Sequence, residues 1–240
     1  PSTAMPVIIM LNLWQFGSAF VMLGITYLVM LVPNHRSLAK IHKWMIILIF
    51  VGLGLFLLIM SPLGEKIVSV LPLQEYQKNR ILIISGPFRD FYNSGYQVGN
   101  SLIAFARGGL TGVGLGKSVQ KFGYLPYAYS DFIIATIAEE GGALTLTVIF
   151  ILYAAVIHRL LIYAFRVRRV ENKVVLFGAA SYLFIHFVLN VGGATAFIPL
   201  TGVPLLMISS GGTSLMTWYI VIGICEAIIA AYRRGEEDTI

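Results

Sequence analysis

Hydrophobic residues in this chain fall into long runs without charged side chains, rather than at the spacing typical of amphipathic helices or strands. A helix needs roughly 20 apolar residues to cross the hydrocarbon core of a bilayer. The pattern predicts five membrane-spanning helices, at residues 4–32, 44–60, 132–157, 174–191 and 214–232. The chain is therefore expected to be an all-α integral membrane protein, with residues 1–240 forming a single membrane domain.

Two regions interrupt the apolar pattern, and they differ in kind. Residues 61–131 contain many charged, glycine and tyrosine residues, which predicts a large polar loop with short helices. Residues 192–213 stay apolar but contain Pro199, Pro204 and a pair of glycines near each end. Irregular backbone at membrane depth is tolerated only where protein or water covers it, so we expect this second segment to be re-entrant.

Composition supports a membrane protein and changes the meaning of the net charge. Hydrophobic residues make up 58% of the chain and charged residues only 12%, against about 25% charged in soluble domains. A formal charge of +6 would suit nucleic acid, but most basic residues flank apolar runs, so no nucleic-acid partner is expected. Cys225 is the single cysteine, which excludes an intrachain disulfide.

The basic residues also predict a topology. Short loops rich in Lys and Arg stay in the cytoplasm, which assigns the connections after the first and third spans, and the C-terminal tail, to that side. The loop 61–131 and the segment 192–213 then share the outer face, and the N-terminus starts outside. An outside start without a signal peptide suggests the C-terminal part of a longer protein.

Residues 111–118 end in the Gly-Lys-Ser of a nucleotide-binding P-loop, but Thr111 stands where the first glycine belongs. No strand pattern precedes the motif, so nucleotide binding is not favoured. Two readings stay open. The loop is a plain glycine-rich turn, or its backbone N–H groups, helped by Lys117 and Lys121, bind another anion.

Three acidic residues are candidates for chemistry. Asp131, directly before the third span, is either a helix N-cap or a carboxylate that accepts a proton from a substrate hydroxyl. Glu139 and Glu140 lie roughly 12 Å further along that helix, where carboxylates by default indicate function. The helical period favours Glu139 for a cavity shared with Asp131 and Glu140 for a pair with a neighbouring helix. A structural role stays open for both glutamates.

Polar residues inside the last two spans give weaker signals. His186 and Asn190 lie one helical turn apart and are expected to make interhelical hydrogen bonds rather than to bind a metal. Glu226 is a further carboxylate within the last span. The four histidines show no ligand spacing, and no Ser/His/Asp arrangement is readable.

Two blocks of residues resemble the SEDS family of bacterial cell-wall proteins, the RodA and FtsW group. The first block is Gly95-Tyr96-Gln97, Ser101-Leu102-Ile103-Ala104, Gly108-Gly109-Leu110, Gly112, Gly114-Leu115-Gly116, Ser118, Gln120-Lys121, Tyr124-Leu125-Pro126, Ala128, Asp131-Phe132-Ile133 and Glu139-Glu140. The second is Asn190-Val191-Gly192, Pro199, Thr201-Gly202-Val203-Pro204-Leu205, Ile208-Ser209 and Gly211-Gly212-Thr213-Ser214-Leu215. The resemblance covers nearly the whole chain.

The resemblance implies the last five helices of a ten-helix fold in the bacterial cytoplasmic (inner) membrane, with a cytoplasmic C-terminus. It also implies a peptidoglycan glycosyltransferase that polymerises lipid II at the outer face, in cell shape or cell division. The family's essential aspartate maps onto Asp131, which would act as general base in an inverting reaction. A class B penicillin-binding protein is the implied partner, and membrane lipids surround both.

The resemblance implies seven substrate-binding residues: Arg80, Arg107, Lys117, Gln120, Lys121, Glu139 and Ser209. The basic members would stabilise charge on the diphosphate leaving group, although attraction to anionic lipids explains basic residues equally well. No cofactor is firmly implied, and the sequence leaves open a divalent cation at the diphosphate.

The chain departs from the family pattern at several positions. Tyr127 and Tyr129 stand where the family often has Glu and His, Gly141 precedes Gly142 where Leu-Gly is common, and Ser210 replaces an aromatic residue.

Two other functions stay open: a flippase for the same lipid-linked precursor, and a non-catalytic scaffold for a transpeptidase. The choice among elongation, division and sporulation also stays open.

Overall fold

The computed structural model describes residues 16–30 and 95–236, together with isolated positions between 43 and 92. Its regular elements in this part of the chain are all helical, which confirms the predicted all-α class. The helices are α1 (Phe16–Met30), α2 (Tyr96–Gly108), α3 (Ile133–Arg166), α4 (Val170–Ala194) and α5 (Gly212–Arg234), with a short π-helical turn at Gln120–Tyr124.

Three of these helices are long and apolar enough to cross a membrane: α3, α4 and α5, with 34, 25 and 23 residues. They contain most or all of the predicted spans 132–157, 174–191 and 214–232, and each continues beyond the apolar run. Helix α1 lies within the first predicted span, and the described positions between 43 and 58 are helical. The remainder of the first two predicted spans, and most of residues 61–94, lie outside the described residues.

Helix α4 is the centre of the packing, with α1, α3 and α5 against it and α2 against α3. Small residues allow α1 to approach α4, because a Cβ on Gly24 would lie 2.8 Å from Ile185 Cδ1. Aromatic rings fill the interface between α3 and α4, where Phe150 and Tyr153 each lie 5.1 Å from the Phe187 ring. The contact between α4 and α5 includes Trp218, whose side chain is almost fully buried.

Helix α3 is interrupted at Gly142, whose φ of 66° and ψ of −172° are not helical. Such a break removes hydrogen-bond partners from the backbone on both sides, as at any helix end. The glycine loop, residues 109–114, supplies them. Gly109 and Leu110 accept hydrogen bonds from the N–H groups of residues 143 and 144, at 2.9 and 3.1 Å. The N–H groups of residues 113 and 114 donate to the carbonyls of residues 139 and 140, at 2.9 and 3.0 Å.

The backbone of residues 108–112 lies directly against the backbone of α3 at this break, so the residues at the points of contact must be glycine. A Cβ on Gly108 would lie 1.9 Å from the Ala138 carbonyl oxygen, and a Cβ on Gly112 would lie 2.1 Å from that of Glu140. Gly112 also has a φ of 77°, a left-handed conformation that side-chain-bearing residues rarely adopt. The pattern Gly-Gly-x-x-Gly is therefore used to seal an interrupted helix.

The non-helical segment between α4 and α5, residues 195–211, folds back onto the helices. The Tyr153 hydroxyl donates to the Leu206 carbonyl, and a ring nitrogen of His186 lies 3.1 Å from the Pro204 carbonyl oxygen. Leu205 and Leu206 are almost fully buried. The part of the irregular backbone around residues 203–206 is thus covered by protein, as predicted for a re-entrant segment.

The two ends of the bundle differ in charge. Arg233 donates a 2.8 Å hydrogen bond to the Tyr163 hydroxyl, which brings the C-terminal ends of α5 and α3 together. Basic residues cluster near this end: Arg159, Arg166, Arg168, Arg169, Lys173, Arg233 and Arg234. The opposite end holds Asp131 and the segment 195–211.

Alanine substitutions at three glycines test the sealed break. Gly223→Ala should leave stability within about 1 kcal/mol of the parent, since α5 has open space there. Gly116→Ala should cost about 1–2 kcal/mol from left-handed backbone alone. Gly112→Ala adds a backbone clash and should lower the thermal unfolding temperature most, as measured by fluorescence of the full chain in detergent. Equal melting of the Gly112→Ala and Gly223→Ala variants would contradict the account.

Candidate functional site

Residues 127–131, here called the aspartate loop, lead into α3 and are fixed by their own backbone. The Tyr127 carbonyl accepts hydrogen bonds from the N–H groups of Ser130 and Phe132, at 3.1 and 3.2 Å. The Ala128 carbonyl accepts one from the Thr136 hydroxyl, at 3.1 Å. These bonds close the turn against the first residues of α3, which places Asp131 at the end of the bundle.

The other three carbonyls of the aspartate loop are held by residues after α3. Ser210 donates to the Tyr129 carbonyl through both its N–H and its hydroxyl, each at 2.9 Å. The Ser209 hydroxyl donates to the Ser130 carbonyl at 2.7 Å. The Asn190 amide donates to the Asp131 carbonyl at 2.9 Å. All five carbonyls therefore have a protein partner, and the loop is anchored from both sides.

Asn190 joins the aspartate loop to the segment 195–211. Its side-chain amide is almost fully buried and donates a second hydrogen bond, of 2.8 Å, to the Val203 carbonyl. The sequence predicted Asn190 and His186 as interhelical hydrogen-bonding residues. Instead, both side chains bind backbone carbonyls of the irregular segment, at Val203 and Pro204. In the sequence, the feature that pointed to a buried hydrogen-bonding role was a polar amide side chain within an apolar helix.

The carboxylate of Asp131 is half-buried and approaches the same segment. A Cβ on Gly202 would lie only 3.6 Å from Asp131 Oδ2. Helix α3 begins at Ile133 with Phe132 at the N-cap position, where no side chain makes a capping hydrogen bond. Asp131 is thus one residue too early for the N-cap, which weighs against the capping role that the sequence left open.

The sequence favoured Glu139 for a cavity shared with Asp131, but the structure gives Glu139 other neighbours. Its carboxylate is fully buried and accepts hydrogen bonds from the Ser118 hydroxyl at 2.5 Å and from the N–H groups of Val119 and Gln120 at 3.1 Å. Arg107 completes the set with an ion pair of 3.1 Å. Glu139 therefore orders residues 118–120 on α3, which is the structural role that the sequence left open.

Glu140 pairs with Lys121 of the π-helical turn, where the sequence favoured a pair with a neighbouring helix. Both side chains are largely buried. The hydrogen bond to the Glu140 carboxylate raises the pKa of Lys121 above its usual 10.5, so the ammonium stays charged at neutral pH. Adjacent glutamates on one helix thus hold two cations and the loop between them.

The predicted substrate-binding cations have unequal positions. Arg107 and Lys121 are both paired, and Arg107 keeps 41% of its side chain exposed. Lys117 is exposed, and its Cδ would lie 3.4 Å from a Cβ on Gly114. Arg80 lies outside the described residues. Three of the four cations therefore surround the glycine loop and the turn that follows it.

The remaining candidates are Ser209, Gln120 and Glu226. Ser209 is buried, and its hydroxyl accepts from the Leu205 N–H at 2.8 Å besides donating to the aspartate loop. Gln120 is buried, and its Oε1 has no hydrogen-bond partner among the described residues. Glu226 makes a solvent-exposed ion pair of 3.8 Å with Arg159.

The resemblance of residues 111–118 to an anion-binding loop does not extend to its hydrogen bonds. The N–H groups of Gly112, Val113 and Gly114 all donate to protein carbonyls, and the Ser118 hydroxyl donates to Glu139. These groups seal α3 and are not available to a phosphate. Over residues 16–30, 95–236 and the described positions between them, no group of three or more His, Cys, Asp or Glu residues is placed to hold a metal.

A groove with a volume of about 400 Å³ runs along the aspartate loop. Its lining includes Lys121 from the π-helical turn, the exposed rings of Tyr127 and Tyr129, and Ser130 next to Asp131. In the sequence the two tyrosines are distinguished only as departures from a family pattern. The groove brings a cation and two aromatic rings together, next to the residue that precedes Asp131.

Comparison with known proteins agrees with this architecture. The family model of the FtsW, RodA and SpoVE cell cycle proteins matches residues 2–234. A probable peptidoglycan glycosyltransferase FtsW of Lactococcus lactis is 38% identical over 192 residues, which cover 78% of this chain and 43% of the relative. The relative of the same description from Bacillus subtilis is 35% identical over 230 residues, covering 92% and 53%.

A solved structure gives the same result at the level of the fold. The chain matches, with a TM-score of 0.67 and 25% identity, a chain in a study of how a peptidoglycan synthase complex coordinates polymerization and crosslinking. The match covers 95% of this chain and 60% of that one. This chain spans about half the length of the curated relatives that it matches. It belongs to the FtsW, RodA and SpoVE family of cell cycle proteins, the SEDS family that its sequence resembles.

Proposed function

We propose that the protein is a peptidoglycan glycosyltransferase that polymerises lipid II into glycan strands, with Asp131 as general base. The observation that carries the proposal is the anchoring of the aspartate loop. Protein groups fix all five carbonyls of the loop, the carboxylate of Asp131 lies outside the N-cap position, and the loop residues that precede Asp131 line a groove. A general base must be held within hydrogen-bond reach of the proton that it removes, and a rigid loop provides this.

In the proposed inverting reaction, Asp131 accepts the proton of the acceptor 4-hydroxyl. The oxygen attacks the anomeric carbon of the donor, and a new glycosidic bond forms. The bond from this carbon to the diphosphate oxygen breaks, and its electron pair leaves with undecaprenyl diphosphate. Cations near the leaving group lower the barrier because negative charge grows there in the transition state.

Lys117, Lys121, Arg107 and Arg80 are the proposed cations for this charge. Lys117 is exposed, whereas Arg107 and Lys121 are held by Glu139 and Glu140. These glutamates fix the two cations but also offset part of their charge. Glu139 and Ser209 act in this proposal by positioning the residues that meet substrate, because their polar groups bind protein, and Gln120 is buried beside them. A divalent cation at the diphosphate is tested by chelation.

The proposed setting is the bacterial cytoplasmic (inner) membrane, with the aspartate loop at the outer face and the C-terminus in the cytoplasm. The cluster of basic residues at the end of the bundle opposite Asp131 supports this orientation. A class B penicillin-binding protein is the proposed partner, because the matched structure belongs to a complex of polymerization and crosslinking. The chain then acts in cell division or cell shape, as its relatives' family name suggests.

Asp131→Asn and Asp131→Ala should each lower lipid II polymerisation at least about 100-fold, because they remove the base. The assay uses the full-length protein with its partner, with and without a chelator, and gel separation of labelled glycan strands. Glu226→Gln, in an exposed ion pair, is the control and should keep parental activity. Full activity of either Asp131 variant would reject the proposed base. Transport of labelled lipid II across vesicle membranes without polymer formation would instead indicate a flippase. Intact partner binding without transport or polymerisation would indicate a scaffold.

Substitution of the two glutamates should separate a structural from an electrostatic role. Glu139→Ala leaves three donors of residues 118–120, two of them buried, without their acceptor and should cost at least about 2 kcal/mol of stability. Glu140→Ala releases Lys121 and should lower the unfolding temperature less. The two melting temperatures, measured in the same detergent, check the order. A larger loss for Glu140→Ala would show that the roles are reversed.

Cysteine labelling tests the orientation. Leu115→Cys lies at an 88% exposed position near the glycine loop and should react with a membrane-impermeant maleimide in intact spheroplasts. Val170→Cys, at a 54% exposed position near the basic end, should react only after permeabilisation. The native Cys225 is buried and should contribute little background. Labelling of Val170→Cys in intact spheroplasts, with Leu115→Cys labelled only after permeabilisation, would show that the proposed orientation is wrong.

A further inference from the structure

The groove beside the aspartate loop displays two tyrosine rings that the proposed reaction does not yet use. Tyr127 and Tyr129 are 67% and 55% exposed, and both line the groove of about 400 Å³. They precede Asp131 by four and two residues. Ligand sites are typically concave, aromatic and supplied with a few polar groups, and this groove has all three features.

The backbone that carries both rings is fixed before any ligand arrives. Tyr127 has a φ of 57°, in the left-handed region that costs a residue with a side chain about 1–2 kcal/mol. Its carbonyl is nevertheless fixed by two N–H groups, and the Tyr129 carbonyl is fixed by Ser210. Strained residues of this kind cluster at functional sites, where the surrounding structure maintains them. Rings presented on a fixed backbone lose little conformational freedom on binding.

The chemistry of the lining favours a neutral, hydroxylated ligand over a diphosphate. Lys121 is the cation in the lining, and its charge is already paired with Glu140. The other polar groups are hydroxyls of Tyr127, Tyr129, Ser130 and Ser210. A sugar ring offers one apolar C–H face to an aromatic ring and hydroxyl or acetamido groups at its edge. The aromatic rings of the groove complement the face of such a sugar ring, and the hydroxyls of the groove complement its edge.

A membrane-interface role is the competing explanation for exposed tyrosines. Such a tyrosine needs only a polar end and an apolar body, and it does not require a left-handed backbone or a groove. Tyr124, which is 54% exposed and lies outside the groove lining, offers an internal comparison. The strain at Tyr127 and the groove that both rings line favour ligand binding.

We propose that Tyr127 and Tyr129 form a saccharide subsite that stacks the N-acetylated amino sugar of the acceptor lipid II and presents its hydroxyl to Asp131. This inference rests on the proposed function for the identity of the acceptor. The subsite itself is a carbohydrate-binding groove and can be measured without turnover.

The binding experiment uses the full-length protein in nanodiscs and a tetramer of N-acetylglucosamine as an uncharged, soluble probe. Saturation-transfer NMR and calorimetry on the Asp131→Asn protein should detect the tetramer. Tyr129→Ala and Tyr127→Ala, made in that background, should each weaken binding about tenfold, as expected for loss of an aromatic contact. Tyr129→Phe keeps the ring and should retain most of the affinity, and Tyr124→Ala should match its parent.

Kinetics on the otherwise unmodified protein complete the test. Tyr129→Ala should raise the KM for lipid II about tenfold with a smaller change in kcat, and Tyr124→Ala should change neither. No tetramer binding to the parent, or equal binding by parent and Tyr129→Ala, would overturn the subsite even if polymerisation depends on Asp131. Altered membrane insertion of the tyrosine variants with unchanged tetramer affinity would also overturn it, in favour of an interface role. Tyrosine-dependent binding without any polymerase activity would uphold the subsite and reject the proposed reaction.

Discussion

The need to satisfy backbone hydrogen bonds at the interruption of α3 governs the architecture of this site. A helix in a low-dielectric environment cannot leave N–H and carbonyl groups unpaired without a large free-energy cost. At Gly142, the glycine loop supplies two acceptors and two donors in register with the exposed ends of the helix. Because backbone must touch backbone for this, Gly108 and Gly112 have no room for a side chain. The interruption therefore fixes residues 109–114 against α3, and the rest of the site follows from that position.

Two adjacent carboxylates extend this attachment from the backbone to the side chains. Glu139 gathers three donors of residues 118–120 and the guanidinium of Arg107, and Glu140 holds Lys121. A buried carboxylate is stable only when it is paired and hydrogen-bonded, and both conditions are met here. The chain then continues into the aspartate loop, where Asn190 and Ser209 attach it to the segment 195–211. Asp131 is held between two such attachments.

The sequence predicted the helices better than it predicted the contacts between them. The apolar runs at 132–157, 174–191 and 214–232 lie almost wholly within α3, α4 and α5, because hydrocarbon length and side-chain hydrophobicity are local properties. The ends extend further, since Arg166 and Arg234 continue the helices beyond the apolar runs. The sequence left a turn and an anion site open for residues 111–118, because nothing local shows that N–H groups of this loop meet carbonyls about 25 residues later in the chain. The sequence identified Asn190 as an unusual polar residue within an apolar helix but did not identify its partners. Asp131 and Val203 approach Asn190 only in the folded chain.

The central claim is that the anchored aspartate loop presents Asp131 to the acceptor hydroxyl. A cryo-electron microscopy structure of the full-length Asp131→Asn protein with its partner and bound lipid II tests this most directly. The account predicts that the acceptor 4-hydroxyl lies about 2.6–3.2 Å from the side chain at position 131, the range for proton transfer, with the loop backbone unchanged. An acceptor hydroxyl bound at another carboxylate, or an acceptor sugar outside the groove of the aspartate loop, would contradict it.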